Sequence, residues 1–320
     1  MPQPDLSIVI VNWNTRELLR DCLHSVFAEA ANLQLEVFVA DNASTDGSAE
    51  MVKADFPQVR LIENQKNLGF AAANNAVFPL CAADKILLLN SDTIVKGDAL
   101  AVLAGFLDRH SDVAAVGPKL EQHGLYIIGC GRQATLRTTI NHWLFLSRLF
   151  PRIKAFEGIY HYAGVHDNET REVDWVSGAC MLVRRTVSDQ VGPLSERWFM
   201  YAEDHEWCAR MKRRRWKIFL VPNAVVEHRH GASGEMNRAI SLLPIEASRE
   251  LFIELNNPSR LQLWLHDAAR ALGMSARAVA YLLKSLLAST NERAAGQRKA
   301  KTFLFYAKAT VLLLLPGASP

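Results

Sequence analysis

The first 120 positions of this 320-residue chain repeat one alternation, and it constrains the fold more than anything else in the sequence. Short apolar, β-rich runs at 6–13, 35–40, 59–62, 85–89 and 113–116 are separated by stretches of helical character. Apolar runs without polar alternation are strands covered on both faces. Strands separated by helices make βαβ units around a parallel sheet. Over 16–29, Leu18, Leu19, Cys22, Leu23 and Val26 recur at three- and four-residue spacing, which predicts an amphipathic helix. The turn at 42–46 carries Ser and Asp side chains that can accept bonds from free helical N–H groups, and it leads into a short helix ending before Pro57. Further helices are predicted at 69–82 and 97–109.

The pattern weakens over 124–171, where glycines, basic residues and aromatics mix, and this stretch reads as a variable insertion with a short amphipathic helix over 140–150. Strand character returns at 173–183, then a helix at 203–214 and two strands at 217–221 and 224–227. Beyond 234 the sequence is mostly helical. There Val279, Leu282, Leu283, Leu286 and Leu287 form an apolar stripe at helical spacing. The reading is therefore a catalytic α/β domain over 1–235 and a helical, basic extension over 236–320.

With 49% apolar residues the chain can bury one large core or two modest ones. Its net charge of +3 hides an asymmetry, because residues 261–320 carry eight Lys or Arg against two acids. Cys22, Cys81, Cys130, Cys180 and Cys208 show no zinc-ligand or redox-motif spacing and read as reduced thiols. The amino terminus lacks the basic stretch and long apolar core of a secretion signal. The longest apolar segment, 303–315, is interrupted by Lys308 and falls short of the ~18 residues that span a bilayer. The expected location is cytoplasmic, with surface attachment to the inner face of the plasma membrane left open.

In an open α/β sheet, ligands bind beyond the carboxyl ends of the strands. Polar segments stand there after the first, second and fourth strands, at Asn12–Thr15, Asp41–Gly47 and Asn90–Asp92, with Asn67–Phe70 near the third. No Gly-x-Gly-x-x-Gly follows the first strand and no Walker-type lysine loop is present, which excludes the common dinucleotide and P-loop chemistries. A carboxylate such as Asp92 at a strand end suits a hard divalent cation that bridges the phosphates of a nucleotide-diphosphate sugar. Taken alone, the same residues favour a turn, and a helix N-cap is the default reading for Asp41 and Asp46. Glu203, Asp204, His205 and Glu206 open a helix, where the macrodipole already favours negative charge. Their neighbours Trp198, Phe199, Tyr201 and Trp207 add desolvation, which raises a carboxyl pKa towards a value suited to taking a hydroxyl proton. His228 and His230 follow a strand; a lone histidine is more often a hydrogen-bonded structural residue, and two there raise the odds of metal contact.

The segments SIVIVNWN at 7–14, DNASTDG at 41–47, NLGFAAAN at 67–74, LLLNSD at 87–92, GACMLVRR at 178–185, FMYAED at 199–204 and HRHG at 228–231 resemble glycosyltransferase family 2, in its bacterial rhamnosyltransferase-like branch. They keep the family's order and cover roughly 5–235. The resemblance implies a GT-A nucleotide-sugar-binding fold and inverting transfer. It implies that Asp41 bonds the base and that Asn12, Asn14, Asn67, Gly69, Asn74 and Asn90 lie with the nucleotide sugar. Asp92, with His228 as a second ligand, would hold Mg²⁺ or Mn²⁺. Asp204 would be the general base, and Trp175, Gly178 and Glu203 would shape the acceptor side. Asn90 departs from the usual Asp-x-Asp motif, so the charge of that motif rests on Asp92.

The expected partners are a dTDP- or UDP-linked sugar, with rhamnose as the expected donor sugar, and a glycan or lipid-linked glycan acceptor. A sugar-1-phosphate nucleotidyltransferase would want a Gly-rich loop after the first strand, and an inactive membrane-associated relative would not need Asp92, Asp204 and His228. The tail over 261–320 suits an anionic bilayer face, or else a helical hairpin or dimer contact with solvated basic residues. It carries no nucleic-acid motif.

Overall fold

A computed structural model describes residues 3–30, 32–161, 168–229, 242–286 and 290–314. His230, Gly231 and Leu287 of the segments above lie outside the described residues. The chain divides into two compact units, residues 1–131 with 161–241 and residues 132–160 with 242–320. The middle of the stretch read as an insertion thus groups with the carboxy-terminal helices.

The first unit is built on a ten-stranded sheet. Strands β1 (Leu6–Asn12), β2 (Leu35–Asp41), β3 (Arg60–Glu63) and β4 (Lys85–Asn90) run parallel in the order 3-2-1-4. Helices α1 (Arg16–Ala28), α2 (Ser48–Asp55) and α3 (Gly69–Val77) connect them. In β4, Leu87, Leu88 and Leu89 are all sealed from water, each side chain contributing about 1.5–3 kcal/mol of burial. The alternation in the sequence therefore reports a sheet packed on both faces. Helix α3 stops at Val77, short of the predicted 82, because Pro79 brings no backbone N–H and a single 3₁₀ turn takes over at Phe78–Leu80.

The sheet continues through β5 (Thr93–Lys96), α4 (Ala99–Arg109), β6 (Val113–Gln122), β7 (Leu125–Tyr126) and β8 (Cys130–Gly131). The run at 173–183 is three short strands, β9 (Arg171–Val173), β10 (Trp175–Val176) and β11 (Cys180–Arg184). Strand β11 inserts antiparallel between β4 and β6. The two strands expected at 217–227 are one, β12 (Lys217–His228), which follows α7 (Arg185–Val191) and α8 (Glu203–Arg213). A register shift between Val221 and Val225 carries β12 past Pro222, which cannot donate to the ladder. β12 is parallel to β6 and antiparallel to β5, a strand the sequence reading missed. All five cysteines are buried and free.

The second unit holds α5 (Leu136–Trp143), α6 (Leu146–Leu149), α9 (Leu243–Asn256), α10 (Arg260–Leu286) and α11 (Thr290–Leu312). The helix expected over 140–150 is broken by Phe145, which sits at φ 64 in the left-handed region. Ile245, Met274 and Ala307 form a small core with Trp143, Phe303 and Tyr306 packed against it. Gly273 lets α10 approach α5, since a Cβ there would overlap the Trp143 carbonyl. Asp267 is buried in α10, bonded by Arg249 at 2.8 Å and Arg270 at 3.3 Å, so its charge is compensated where water cannot reach. The face of α10 that packs carries His266, Ala269, Arg270, Gly273 and Met274. The stripe of Val279, Leu282, Leu283 and Leu286 lies on the opposite face, in solvent. Among the described residues no helix is long and apolar enough to cross a membrane.

Candidate active site

Strands β1, β2 and β4 end level with one another. Asn12 pairs with Asp41 across β1–β2, and Val11 pairs with Asn90 across β1–β4. This edge opens into a cavity of about 430 Å³ in the first unit. Of the residues singled out from the sequence, Asn67, Gly69, Asn90, Asp92, Gly178, Glu203, Asp204 and His228 line it. Asn12, Asn14, Asp41, Asn74 and Trp175 stand behind the lining and are held by bonds among themselves and their neighbours.

That backing is a polar scaffold. Asn12 Nδ2 donates to Asp41 Oδ1 at 2.8 Å and to Ser44 Oγ at 3.1 Å, and its own Oδ1 accepts from Thr15 Oγ1 at 2.7 Å. Asp41 Oδ2 accepts the Ser44 N–H at 2.8 Å, and Asn14 Oδ1 accepts the Thr45 N–H at 2.8 Å. The bonds of Asn12 and Asp41 satisfy buried side chains, and with the exposed Thr45–Asn14 bond they tie the loop after β2 to the end of β1. Asn42, the neighbour of Asp41, reaches the cavity instead, with its Nδ2 donating to Asn67 Oδ1 at 3.1 Å. Asn74 donates to the Phe70 carbonyl at 2.9 Å.

On one wall, the β5–β12 pairing brings His228 opposite Thr93, next to Asp92. His228 Nε2 lies 3.1 Å from Asp92 Oδ1 and 3.3 Å from Asn90 Nδ2. The Arg229 N–H donates to the Asp92 carbonyl at 2.9 Å, which fastens the two segments together. Among the described residues no three acids, histidines or cysteines converge as a full metal cage. One carboxylate and one imidazole, open to a cavity, nevertheless suit a hard cation that keeps positions for water and substrate phosphates. The donors therefore fit Mg²⁺ or Mn²⁺ bound together with a diphosphate.

On another wall, α8 presents its first turn. Its three acids have separate fates. Glu206 is taken by Arg210, whose Nε donates at 2.8 Å. Asp204 accepts the Gly178 N–H on Oδ2 at 2.9 Å and the His205 N–H on Oδ1 at 2.8 Å. Glu203, buried, accepts the Ala202 N–H on Oε2 at 2.9 Å, and the backbone of Tyr201 and of Glu203 itself also bonds its carboxyl. Burial first, then the charge of Asp204, pushes the Glu203 carboxyl up to about 7. The His205 ring stacks on Trp175 with centroids 3.7 Å apart, and burial lowers its pKa against the opposing pull of Asp204. Trp207, read as part of an aromatic surround, is core instead, stacked on Phe78 and bonded to the Gly192 carbonyl.

The cavity also uses residues that were not singled out as site residues. Phe70 and Ser177 line it, and so do the half-exposed rings of Phe199 and Tyr201, 41% and 45% accessible. Tyr201 has φ 87, a strained value for a residue with a side chain. The sequence already sets both aromatics beside the acids as their desolvating neighbours, without assigning them to the cavity itself. Gly69 fits beneath this segment at φ 79, where a Cβ would stand 2.5 Å from the Phe199 carbonyl oxygen. Gly178 has a similar reason, since its Cβ would crowd the Phe70 ring at 3.1 Å beside Asp204.

Comparison with known proteins agrees with this geometry. Residues 2–241 match the family model described as glycosyltransferase like family 2. The N-acetylglucosaminyl-diphospho-decaprenol L-rhamnosyltransferase of Mycobacterium tuberculosis is 27% identical over 78% of this chain and 83% of its own length. A low-salt glycan biosynthesis hexosyltransferase of Haloferax volcanii is 24% identical over 79% and 74%. Among solved structures, a mannosyltransferase from Pyrobaculum calidifontis in complex with GDP-Man and Mn²⁺ superposes with a TM-score of 0.54 at 17% identity, covering 98% of this chain and 88% of that one. A GalNAc transferase solved with UDP, GalNAc and Mn²⁺ gives 0.55 at 13% identity over 83% and 54%. The shared architecture is the GT-A fold.

Proposed function

The chain belongs to glycosyltransferase-like family 2 and is a glycosyltransferase, and on that premise we propose a metal-dependent, inverting enzyme that passes a sugar from a nucleotide diphosphate to a hydroxyl of a glycan. The observation that carries this reading is one cavity with two chemically different walls. Asp92 and His228 stand on one, Asp204 on another. The first suits a diphosphate leaving group, the second a nucleophile that must lose a proton.

Asp204 is the general base in this reading. Its two N–H partners hold the carboxylate oriented, and each oxygen keeps lone-pair capacity for an incoming hydroxyl. The acceptor oxygen gives its proton to Asp204 and bonds the anomeric carbon, while the bond from that carbon to the diphosphate oxygen breaks on the opposite side. Attack opposite the leaving group inverts the anomeric centre. Asp92 and His228 would hold Mg²⁺ or Mn²⁺, which supplies positive charge to the departing diphosphate. Asn42, Asn67 and Asn90 face the donor, backed by Asn12, Asn14, Asp41 and Asn74. Gly69 and Gly178 keep the cavity open, and Glu203 and Trp175 shape the acceptor side.

The similarity to a rhamnosyltransferase supports rhamnose on a dTDP or UDP carrier as the donor, and a lipid-linked glycan as the acceptor. Work at the inner face of the plasma membrane, with contact through 261–320, belongs to the same proposal. The test is a binding screen of the purified chain against nucleotide sugars with Mn²⁺ or Mg²⁺. At least one nucleoside-diphosphate sugar should bind with metal, and binding by none sinks the proposal. Asp204→Asn should abolish transfer and leave donor affinity within a few-fold; equal loss of both removes the base assignment.

A further inference from the structure

Among the described residues, fifteen of the nineteen exposed large apolar side chains belong to 132–160 and 242–320, about a third of the chain. A water-facing unit of that size rarely shows so much apolar surface without covering it. The cover can be read from the charges. These segments hold fifteen Lys and Arg against six acids, a net of +9, and the whole chain carries only +3, which leaves −6 for the rest.

On α10 the exposed residues Leu261, Trp264, Leu272, Val279, Leu283 and Leu286 fall within about 100° of arc at 3.6 residues per turn. The strip runs for roughly 38 Å at 1.5 Å per residue. Leu272, Leu283 and Leu286 are 64%, 58% and 66% accessible, so the strip is open to solvent along its carboxy-terminal half. On α11, exposed Arg298, Lys301, Phe305, Lys308 and Leu312 alternate along one face, the arrangement in which long basic stems lie on an apolar layer with their charges at its edge. Next to α6, exposed Leu149, Phe150 and Ile153 alternate with Arg152 and Lys154. Apolar and cationic side chains are thus interleaved at two places in the unit that also carries the apolar strip of α10.

We infer that this unit docks on an anionic lipid bilayer through the outer face of α10, the basic face of α11 and the 148–154 segment. Pairing with a second copy would bring these like charges against one another, whereas anionic headgroups neutralise them while the leucines and Trp264 enter the interfacial layer. The inference deepens the membrane contact included in the proposed function, and because its test contains no nucleotide sugar, its failure would leave the sugar-transfer reading standing.

The test is cosedimentation of the full chain with vesicles of phosphatidylglycerol mixed into phosphatidylcholine and with phosphatidylcholine alone. Binding should require the anionic lipid and weaken with salt. The triple variant Arg298→Gln, Lys301→Gln, Lys308→Gln should lower partitioning about a hundredfold, from roughly a fivefold loss per basic residue near the surface. Leu272→Ser with Leu283→Ser, at solvent-facing positions, should also weaken it and leave the circular dichroism spectrum unchanged. Equal binding to both vesicle types, or no binding together with a dimer that the leucine variant dissociates, overturns the inference.

Discussion

Replacing Glu203 by Gln should remove a pH-dependent weakness in the fold. Burial and the neighbouring Asp204 raise the Glu203 pKa from 4.5 to about 7, so the folded protein favours the protonated acid. An acid whose folded pKa is raised binds more protons folded than unfolded between those two values. Its contribution is therefore full below about pH 4.5 and is lost as the pH climbs to about 7. At about 1.4 kcal/mol per pH unit, the span amounts to about 3 kcal/mol. Glutamine keeps the contact, because its amide oxygen can accept the Ala202 N–H that Glu203 Oε2 now accepts at 2.9 Å. Urea unfolding of both proteins from pH 4.5 to pH 8 isolates the Glu203–Asp204 pair as a difference curve, in which groups that do not interact with the pair cancel. The variant should match the parent at the acidic end and exceed it by up to about 3 kcal/mol at pH 8. Parallel curves, or a variant weaker at every pH, would refute the account of Glu203 as a desolvated acid.

Two further substitutions probe the cavity walls. Asp92→Ala should reduce Mn²⁺ affinity in the presence of a nucleoside diphosphate at least a hundredfold, since loss of a residue that merely supports a ligand already costs about 10–100-fold. Titration calorimetry reads it, and an unchanged affinity would remove Asp92 from the metal site. Gly69→Ala forces a side chain into the left-handed region against the Phe199 carbonyl, at about 1–2 kcal/mol for the backbone alone. It should lower the melting temperature and disturb the Phe199 rim, seen as a raised acceptor KM; an unchanged protein would contradict the close approach.

The sheet was legible where its residues were uniform. Strands β1, β2 and β4 read directly because their apolar runs are buried, β3 from a short Leu61–Ile62 pair that is only partly buried, and α1 because its apolar positions keep helical spacing. β5 escaped because four residues directly after Asp92 look like the tail of a turn, and β12 was read as two strands because Pro222 interrupts the run without ending the strand. The stripe on α10 was visible in the sequence, yet spacing alone does not say whether an apolar face turns inward or outward. In the cavity, Asp92 and Asp204 were found by type and position. The separate fates of Glu203 and Asp204 were not, because they depend on Gly178, which only the folded chain brings near; the Glu206–Arg210 pair is an i,i+4 contact within α8 that helical spacing alone could have shown.

The pairing of β5 with β12 also has a consequence in time. His228 follows Asp92 by 136 positions, and the two meet only through that long-range ladder. A ribosome that has released β1 to β5 has delivered the carboxylate but not the imidazole, and closing so long a loop is among the slower steps of folding. The half-made chain therefore carries the edge of β1, β2 and β4 without the Asp92–His228 pair, so in the proposed metal site cation capture would come near the end of the first unit's assembly and would report that the sheet has closed.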